Sequence, residues 1–433
     1  MSSLENPFLK EEHYNGSLKA GDIVVGQARV DIQHTEFDTN NIAVKISDIK
    51  WAKLSTEQMN QCKGIALDFV HQESDHGILL KLDEDFSIPF DEATCGAQLF
   101  EKWFRYEQPP GSEDKATKPA HVTYIFPLVG LTRYRGGSTF QDSRGLYRGY
   151  RLPDKEDLIK WGNNEFSVKS ALSDFTIYDS MIHEEIDDDE YHSIVIGRRS
   201  KLYFDINQED KTPEEIKAEA REIARVAFMC ISLLEGNAID WQIEELYLRD
   251  KSDGKNTERK TFRWAIAPNK NQPRFARTVG KRKMSREYIA TLVDAYCTLS
   301  IDGRKVFDRV FRAYQLACIA QVIEVELIYW HSCLDLLRKQ LGYGRNPFSE
   351  KLRSACETNG ISFDDLDLLM GKDDPTKFRF TEIRNQYLHE GFLVEDYNEL
   401  ISEMRKMKAL TERLMLHLLK LDYRQSPVGI LFP

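Results

Sequence analysis

Residues 322–337 read VIEVELIYWHSCLDLL, and this stretch decides the fold of the C-terminal part of the chain. It predicts one long helix. The same helical period of 3.6 residues continues in amphipathic segments at 348–356, 377–388 and 396–421. The pattern therefore predicts a helical domain over residues 291–433.

The N-terminal half has a different pattern, with short β-branched runs bounded by turn residues. These predicted strands lie at 22–26, 41–46, 64–70, 77–82, 121–126, 193–197 and 201–206. Parallel βαβ units are not indicated, so an antiparallel sandwich or barrel-like domain is the better interpretation. We expect an α+β protein with a β-rich N-terminal domain over 1–200, a helical and basic connector over 201–290 and the helical domain after it.

The connector contains a predicted long helix at 213–234. Thr212 is a suitable N-cap, Pro213 suits the first turn, and Glu214 and Glu215 complement the helix dipole. The first half of this helix is charged and the second half is apolar, so we interpret it as a structural element.

The helix predicted at 377–388 has Phe378, Phe380, Ile383 and Leu388 as candidate apolar positions, and Gly391 is a plausible stop signal. Its end carries the run from Arg384 to His389, followed by Glu390.

The groups in that run suit a ribonuclease that needs no metal. RNA carries its own nucleophile, the 2′-hydroxyl, beside the scissile phosphate. Histidine can move protons because its ordinary pKa is about 6.5, and arginine can hold phosphate oxygens in a bidentate contact. Arg384 and His389 lie about 140° apart around a helix, so the two side chains do not share one face. Either the long arginine side chain reaches back toward the histidine, or a second subunit completes the site. The alternative is a surface arginine and a histidine near the carbonyl end of the helix dipole.

The pattern Arg-Asn-x-x-x-His-x-Gly, at the end of a helix within a C-terminal run of helices, resembles the HEPN domain. More narrowly, it resembles the Apea-like and Abi-like HEPN proteins of prokaryotic defence systems. The similar stretch spans about residues 307–421, and its first long helix carries Trp330 and Asp335 at a familiar spacing. Glu390 departs from the family, because many relatives have glycine directly after the histidine.

The resemblance implies a four-helix up-and-down core, a homodimer formed through these helices, and RNA cleavage without metal or cofactor. Arg384, Asn385 and His389 would be the catalytic residues, with Asn385 orienting a phosphate or the imidazole. The expected function is an endoribonuclease acting as an abortive-infection or toxin effector, with RNA as substrate and tRNA as one candidate. The β-rich domain would either sense a phage-derived or protein trigger or restrain the nuclease. Because some family members do not cleave RNA, the alternative is a silent HEPN scaffold that binds nucleic acid or a protein partner.

Charge is spread unevenly along the chain. Residues 1–200 have a net charge of −12, residues 201–433 have +1, and the segment 251–290 has +9. Basic residues interleaved with aromatics suit a polyanion with stackable bases, although a solvated hinge is an equal alternative. The candidate RNA-binding residues are Lys260, Arg263, Lys270, Arg274, Arg277, Lys281, Arg282 and Lys283.

Other features exclude several protein classes. No run approaches eighteen apolar residues, so no membrane contact is expected, and the N-terminus does not resemble an export signal. Seven cysteines without a Cys-x-x-Cys pair suit reduced thiols in the cytoplasm and give no zinc motif.

Several weaker candidate sites also have plain structural explanations. The acidic run 184–190 is interpreted as a solvated loop, so no metal ligands are predicted. The Gly/Arg/Tyr-rich stretches 130–139 and 144–151 suit hairpin turns better than a phosphate site. His331 is interpreted as a buried, satisfied histidine and His417 as the edge of the core.

Overall fold

The computed structural model describes residues 9–35, 43–62, 67–73, 76–82, 93–107, 119–136, 164–187, 192–241, 243–250, 257–265, 283–320, 322–344, 347–368, 370–391, 397–426 and 428. The chain forms two compact units. Unit 1 comprises residues 1–167, 175–224 and 240–269, and unit 2 comprises residues 168–174, 225–239 and 270–433.

Unit 1 is built from β-strands. They are β1 (Leu9–Ala20), β2 (Ile23–Thr35), β3 (Ala43–Trp51), β4 (Leu67–Gln72), β5 (His76–Leu82), β6 (Ala93–Glu107), β7 (Ala120–Gly136), β8 (Asn164–Val168), β9 (Phe175–Asp187), β10 (His192–Ile206), β11 (Ile243–Asp250) and β12 (Thr257–Ala265). A short helix, α1 (Thr56–Cys62), follows β3.

The first six strands close into a ring. Their order is β3-β2-β1-β4-β5-β6, and β3 also pairs with β6, so neither end strand is left unpaired along its whole length. Apolar side chains from alternate strand positions fill the space between them. The fully buried members of this core include Leu18, Val30, Ile32, Val44, Ile46, Phe69 and Leu80.

The sheet continues from β6 in the order β6-β12-β11-β7-β10-β9-β8. β6 pairs with β3 through residues 93–96 and with β12 through 99–107, so one strand serves both parts of the sheet. The strands predicted from 193–197 and 201–206 form one long strand, β10, whose register against β7 shifts near Arg198.

The boundary between the units falls within α2 (Pro213–Glu235), after Ala224. The predicted cap at its start is confirmed, because Glu215 N donates to Thr212 Oγ1 at 3.3 Å and Thr212 N donates to Glu215 Oε2 at 2.8 Å. This reciprocal capping box fixes the first turn.

Unit 2 contains the remaining helices. They are α3 (Lys283–Thr298), α4 (Ile301–Ile319), α5 (Ile323–Gln340), α6 (Phe348–Thr358), α7 (Arg379–Glu390) and α8 (Tyr397–Leu418). The predicted helices of the C-terminal part are therefore confirmed to within a few residues. The predicted α+β fold, with a β-rich N-terminal part and a helical C-terminal part, is also confirmed.

The helix α5 is the centre of unit 2, since it packs against α4, α6, α7 and α8. Its buried side chains include Leu327, Trp330, Leu334 and Leu337. The ring of Trp330 meets Tyr314 of α4 edge-on, and its indole N–H donates to Glu326 Oε1 at 3.1 Å. The buried acid and the buried indole thus satisfy each other.

None of the helices in the described ranges is long and apolar enough to cross a membrane.

Candidate functional site

The helix α7 carries the Arg384–His389 run. Its first turns are anchored by buried apolar side chains, and a glycine ends it. Phe378, Phe380 and Ile383 are buried, as predicted, whereas Leu388 is 48% exposed. Gly391 ends the helix with φ of 76°, and its N–H donates to Tyr387 O at 2.8 Å. This left-handed cap is the predicted stop signal. It leaves His389 exposed in the last turn, at the carbonyl end of the helix.

Arg384 lies one and a half turns earlier and is half-buried. Its Nη1 donates to Asn385 Oδ1 at 2.9 Å, so the neighbouring amide holds the guanidinium in one orientation. Its Nε is buried and has no hydrogen-bond partner among the described residues. A buried donor without a partner is costly.

His331 of α5 is a buried residue that lies close enough to Arg384 to interact with it electrostatically. The pKa of His331 is lowered to about 4, chiefly by burial and secondly by the Arg384 guanidinium. Asp335 opposes this shift, and Arg338 adds to it. The imidazole is therefore neutral at pH 7.

The ring of His331 is held by aromatic contacts. It stacks on Phe348 with centroids 4.2 Å apart and meets Phe380 edge-on at 6.3 Å. It is only 9% exposed, as predicted, but its Nε2 has no hydrogen-bond partner among the described residues. The sequence suggested a satisfied core histidine, and its proximity to Arg384 depended on the packing of α5 against α7.

Asp335 of α5, the acidic residue noted five positions after Trp330, forms its ion pairs within its own helix. Asp335 forms ion pairs with Arg338 at 2.6 Å and with Lys339 at 2.5 Å. Burial raises the pKa of Asp335, but these two partners outweigh that effect and leave the pKa below its usual value. The carboxylate is therefore ionised at neutral pH and neutralised by its own helix.

The predicted catalytic residues thus fall into two groups. Arg384 and Asn385 are in direct contact, whereas no hydrogen bond between described residues joins Arg384 to His389. Chemically, one end of α7 offers an exposed imidazole for proton transfer. The preceding turn offers a positioned cation for phosphate.

The predicted RNA-binding residues are only partly within the described chain. Lys260 and Arg263 lie in β12, an interior strand between β6 and β11, and Lys283 is the first residue of α3. The others, Lys270, Arg274, Arg277, Lys281 and Arg282, lie outside the described residues. The strands β11 and β12 were not predicted, because the charged sequence of β12 lacks a clear apolar alternation.

A cavity of about 530 Å³ lies elsewhere in unit 2, at the ends of α6 and α8. Its lining includes Asn359, His417, Tyr423 and Arg424, but neither Arg384 nor His389. His417 Nε2 lies 3.1 Å from Asn359 Oδ1, and burial lowers the pKa of this histidine. His417 is half-buried at the edge of the core, in line with its predicted place.

One group of side chains in unit 1 was missed by sequence reasoning. His71, Glu73 and His76 bring their ligand atoms within 4.8 Å of one another, although no metal ligands were predicted. Two histidines five residues apart around an acid, where one predicted strand ends and the next begins, were the signal that could have found them.

No protein-family model matches the chain, and no curated protein or solved structure matches it either. The resemblance to the HEPN domain therefore depends on the residues of α5 and α7 themselves.

Proposed function

We propose that this protein is a metal-independent endoribonuclease of the HEPN type. One observation carries the proposal: α7 holds the Arg384 guanidinium in place through Asn385 and ends, five residues later, in the exposed His389. A fixed cation and an accessible imidazole are the two groups that cleavage by the 2′-hydroxyl of RNA requires.

In the proposed reaction, the 2′-oxygen forms a bond to phosphorus and the bond from phosphorus to the 5′-oxygen breaks. A proton leaves the 2′-hydroxyl for a base, and the departing 5′-oxygen takes a proton from an acid. His389 supplies one of these roles. Arg384 neutralises the charge that builds on the non-bridging oxygens, and Asn385 keeps the guanidinium oriented. The products are a 2′,3′-cyclic phosphate and a 5′-hydroxyl.

A homodimer would supply the second imidazole. An isologous dimer brings two identical sites together at its axis, so one His389 could act as base and the other as acid. The helices α5 and α7 are the proposed contact surface.

The proposed biological role is an abortive-infection or toxin effector in the cytoplasm, with RNA as substrate and tRNA as one candidate. Unit 1 would sense a phage-derived or protein trigger, or restrain the nuclease until one arrives. Six of the cysteines are free thiols, which suits a reducing compartment; they are Cys62, Cys230, Cys297, Cys318, Cys333 and Cys356.

The test is cleavage of labelled tRNA and single-stranded RNA by the full-length protein in EDTA. We expect cyclic phosphate ends, and we expect His389→Ala to lower the rate by about 10²–10⁴-fold. His13→Ala, which changes an exposed histidine of β1, is the matched control. Products with 5′-phosphates, strict dependence on magnesium, or cleavage by His389→Ala at the wild-type rate would each contradict the proposal.

A silent HEPN scaffold is the second candidate, and the half-burial of Arg384 against α5 favours it. In that case the arginine would stabilise the helix pair and not touch phosphate. The nuclease and scaffold hypotheses are distinguished by measuring RNA binding and RNA cleavage on the same sample. A scaffold would bind RNA or a partner and leave the RNA intact.

A further inference from the structure

The hairpin of β4 and β5 brings together three side chains that metals commonly use as ligands. His71 pairs in register with Ile78, and Gln72 pairs with Gly77. Glu73 N–H donates to the His76 carbonyl at 2.8 Å, which fixes the residues on both sides of the turn. Because the backbone is held in this way, His71, Glu73 and His76 meet at the turn end of the hairpin. These three side chains are called the hairpin cluster below.

The distances within the hairpin cluster are those of ligands around one small cation. His71 Nε2 lies 3.5 Å from His76 Nε2 and 3.6 Å from Glu73 Oε1. His76 Nδ1 lies 3.8 Å from Glu73 Oε2. Two ligand atoms bound tetrahedrally to zinc, each at about 2.0–2.1 Å, lie about 3.4 Å apart. The three pairwise distances are within about 0.4 Å of that spacing, and one ligand atom from each residue lies within 4.8 Å of the other two. Adjustment of the side-chain torsions would therefore bring His71 Nε2, one ring nitrogen of His76 and a carboxylate oxygen into one coordination shell.

The protein also sets the tautomer of His71. Its Nδ1 lies 2.6 Å from the backbone carbonyl oxygen of Asn15 in β1. A carbonyl oxygen can only accept a hydrogen bond, so Nδ1 carries the hydrogen and donates it. The lone pair is then on Nε2, the atom that faces His76 and Glu73. Metal-binding histidines characteristically have such a partner on the second ring nitrogen, because it orients the ring and raises its basicity.

The surroundings leave room for an exchangeable ligand. The side chain of His71 is 13% exposed, that of His76 is 30% exposed and that of Glu73 is 56% exposed. The rings of His71 and His76 are 5.4 Å apart, and Tyr14 of β1 lies 5.5 Å from the His71 ring. One wall of the cluster is thus built from the sheet, and the other is open to water.

We propose that the hairpin cluster is a site for a divalent first-row transition metal, with zinc as the best fit. His71 Nε2, a ring nitrogen of His76 and the Glu73 carboxylate provide three ligands, and water completes the shell. Imidazole nitrogen with one carboxylate suits zinc and its neighbours, whereas magnesium and calcium prefer shells built from oxygen. The bound metal would tie the end of the hairpin to β1 through the Asn15 contact.

This site is independent of the proposed nuclease activity, which uses no metal. The two can therefore fail separately: RNA cleavage is measured in EDTA, and metal binding is measured without RNA.

The test uses untagged full-length protein stripped with a chelator and then titrated with ZnCl₂ by calorimetry. CoCl₂ is added in parallel, since tetrahedral cobalt gives a visible absorption band. We expect one equivalent to bind and the midpoint of thermal unfolding to rise. His71→Ala and His76→Ala should each weaken binding by more than about 100-fold, because even the loss of an outer-shell partner costs about 10–100-fold. His13→Ala should bind as wild type.

Glu73→Gln serves as a further variant, since this side chain is more than half exposed and its loss should not disturb folding. It should weaken zinc binding while the circular dichroism spectrum stays unchanged. The proposal is overturned if the wild-type protein binds neither ion at micromolar concentration. It is equally overturned if the histidine and Glu73 variants bind zinc as tightly as the wild type, which would place the ion elsewhere. Polar contacts of the two histidines with each other and with Glu73 would then explain the cluster.

Discussion

The end of α7 and the hairpin cluster each have a histidine five residues from a second polar side chain, yet the two regions are assembled differently. In α7, one helix carries Arg384 and His389, and the exposed imidazole has no fixed partner among the described residues. In the hairpin, two ring nitrogens lie 3.5 Å apart, and a carbonyl on another strand fixes one ring. In our proposals, the helix provides an imidazole that transfers protons, whereas the hairpin provides ligands for a metal ion. Equal spacing therefore gives different chemistry on a helix and on a hairpin.

The largest expected effect tests the α7 side of this comparison. Arg384→Ala should lower the rate of single-turnover RNA cleavage by about 10²–10³-fold, as for the loss of one positioned donor to a developing anion. Arg384→Lys keeps the charge but loses the planar fork that contacts Asn385 and phosphate, so it should also be strongly impaired.

Basic residues outside α7 provide the control for this experiment. Lys281→Ala and Arg282→Ala should weaken RNA binding in a salt-dependent way and leave the rate at saturating RNA near wild type. Cleavage by Arg384→Lys at the wild-type rate would show that the arginine acts only through its charge. The proposed orientation of its guanidinium by Asn385 would then not matter for catalysis.

The second effect concerns the buried histidine behind the site. The pKa of His331 is about 4 in the folded protein and is ordinarily about 6.5. Above pH 6.5 both states are neutral at this residue. As the pH falls from 6.5 to 4, the unfolded chain takes up a proton that the folded chain does not, so stability is lost. The total loss is about 3 kcal/mol, at about 1.4 kcal/mol for each pKa unit.

Urea unfolding followed by helical circular dichroism at pH 7 and pH 5 should measure about 2 kcal/mol of this loss, which accrues between pH 6.5 and pH 5. His331→Phe should flatten the dependence on pH. Phe348→Leu removes the stacked ring but keeps the imidazole, so it should lower stability at both pH values and retain the dependence. An unchanged slope in His331→Phe would mean that other groups cause the acid sensitivity.

The third effect tests the strand that supports the hairpin cluster. A Cβ on Gly16 would lie 2.5 Å from the Val70 carbonyl oxygen and 2.7 Å from Cζ of Phe69, where β1 pairs with β4. Gly16→Ala should therefore cost about 1–3 kcal/mol in the free energy of unfolding, because the backbone must shift. It should also weaken zinc binding, since Asn15 is adjacent.

Gly26→Ala is the matched change in the same unit, because its nearest backbone atom, Lys50 O, would be 3.1 Å away. Thermal unfolding of the two variants should give the smaller loss for Gly26→Ala. Equal losses would show that loss of glycine in a strand, and not crowding, explains the effect.

The smallest effect concerns the cap of α7. Gly391 has open space around its Cα but a φ of 76°, so Gly391→Ala should cost about 1 kcal/mol from backbone strain alone. Gly391→Asn should cost less, because asparagine tolerates this conformation. Gly344→Ala, with open space and no positive φ, is the neutral control. If urea unfolding shows that the Gly391→Ala variant is more stable than the Gly391→Asn variant, the proposed role of the cap is contradicted.

The sequence by itself determined the local elements. Helical periodicity fixed α5, α6, α7 and α8, the cap at Thr212 placed the start of α2, and Gly391 placed the end of α7. β-branched runs indicated strands that the structure contains as β2, β3, β4, β5, β7 and β10. These signals are readable because a helix or a strand is specified by residues close together in the chain.

Only the tertiary structure decided what these elements bring together. The pairing of β3 with β6, the inclusion of β12 between β6 and β11, the contact of Asn15 with His71 and the effect of Arg384 on His331 all join residues that are distant in sequence. Strand pairing and helix packing depend on which buried surfaces fit each other, and no local pattern records that choice. The motif on α7 could therefore be read from its own helix, whereas the tautomer of His71 and the effect of Arg384 on the pKa of His331 could not.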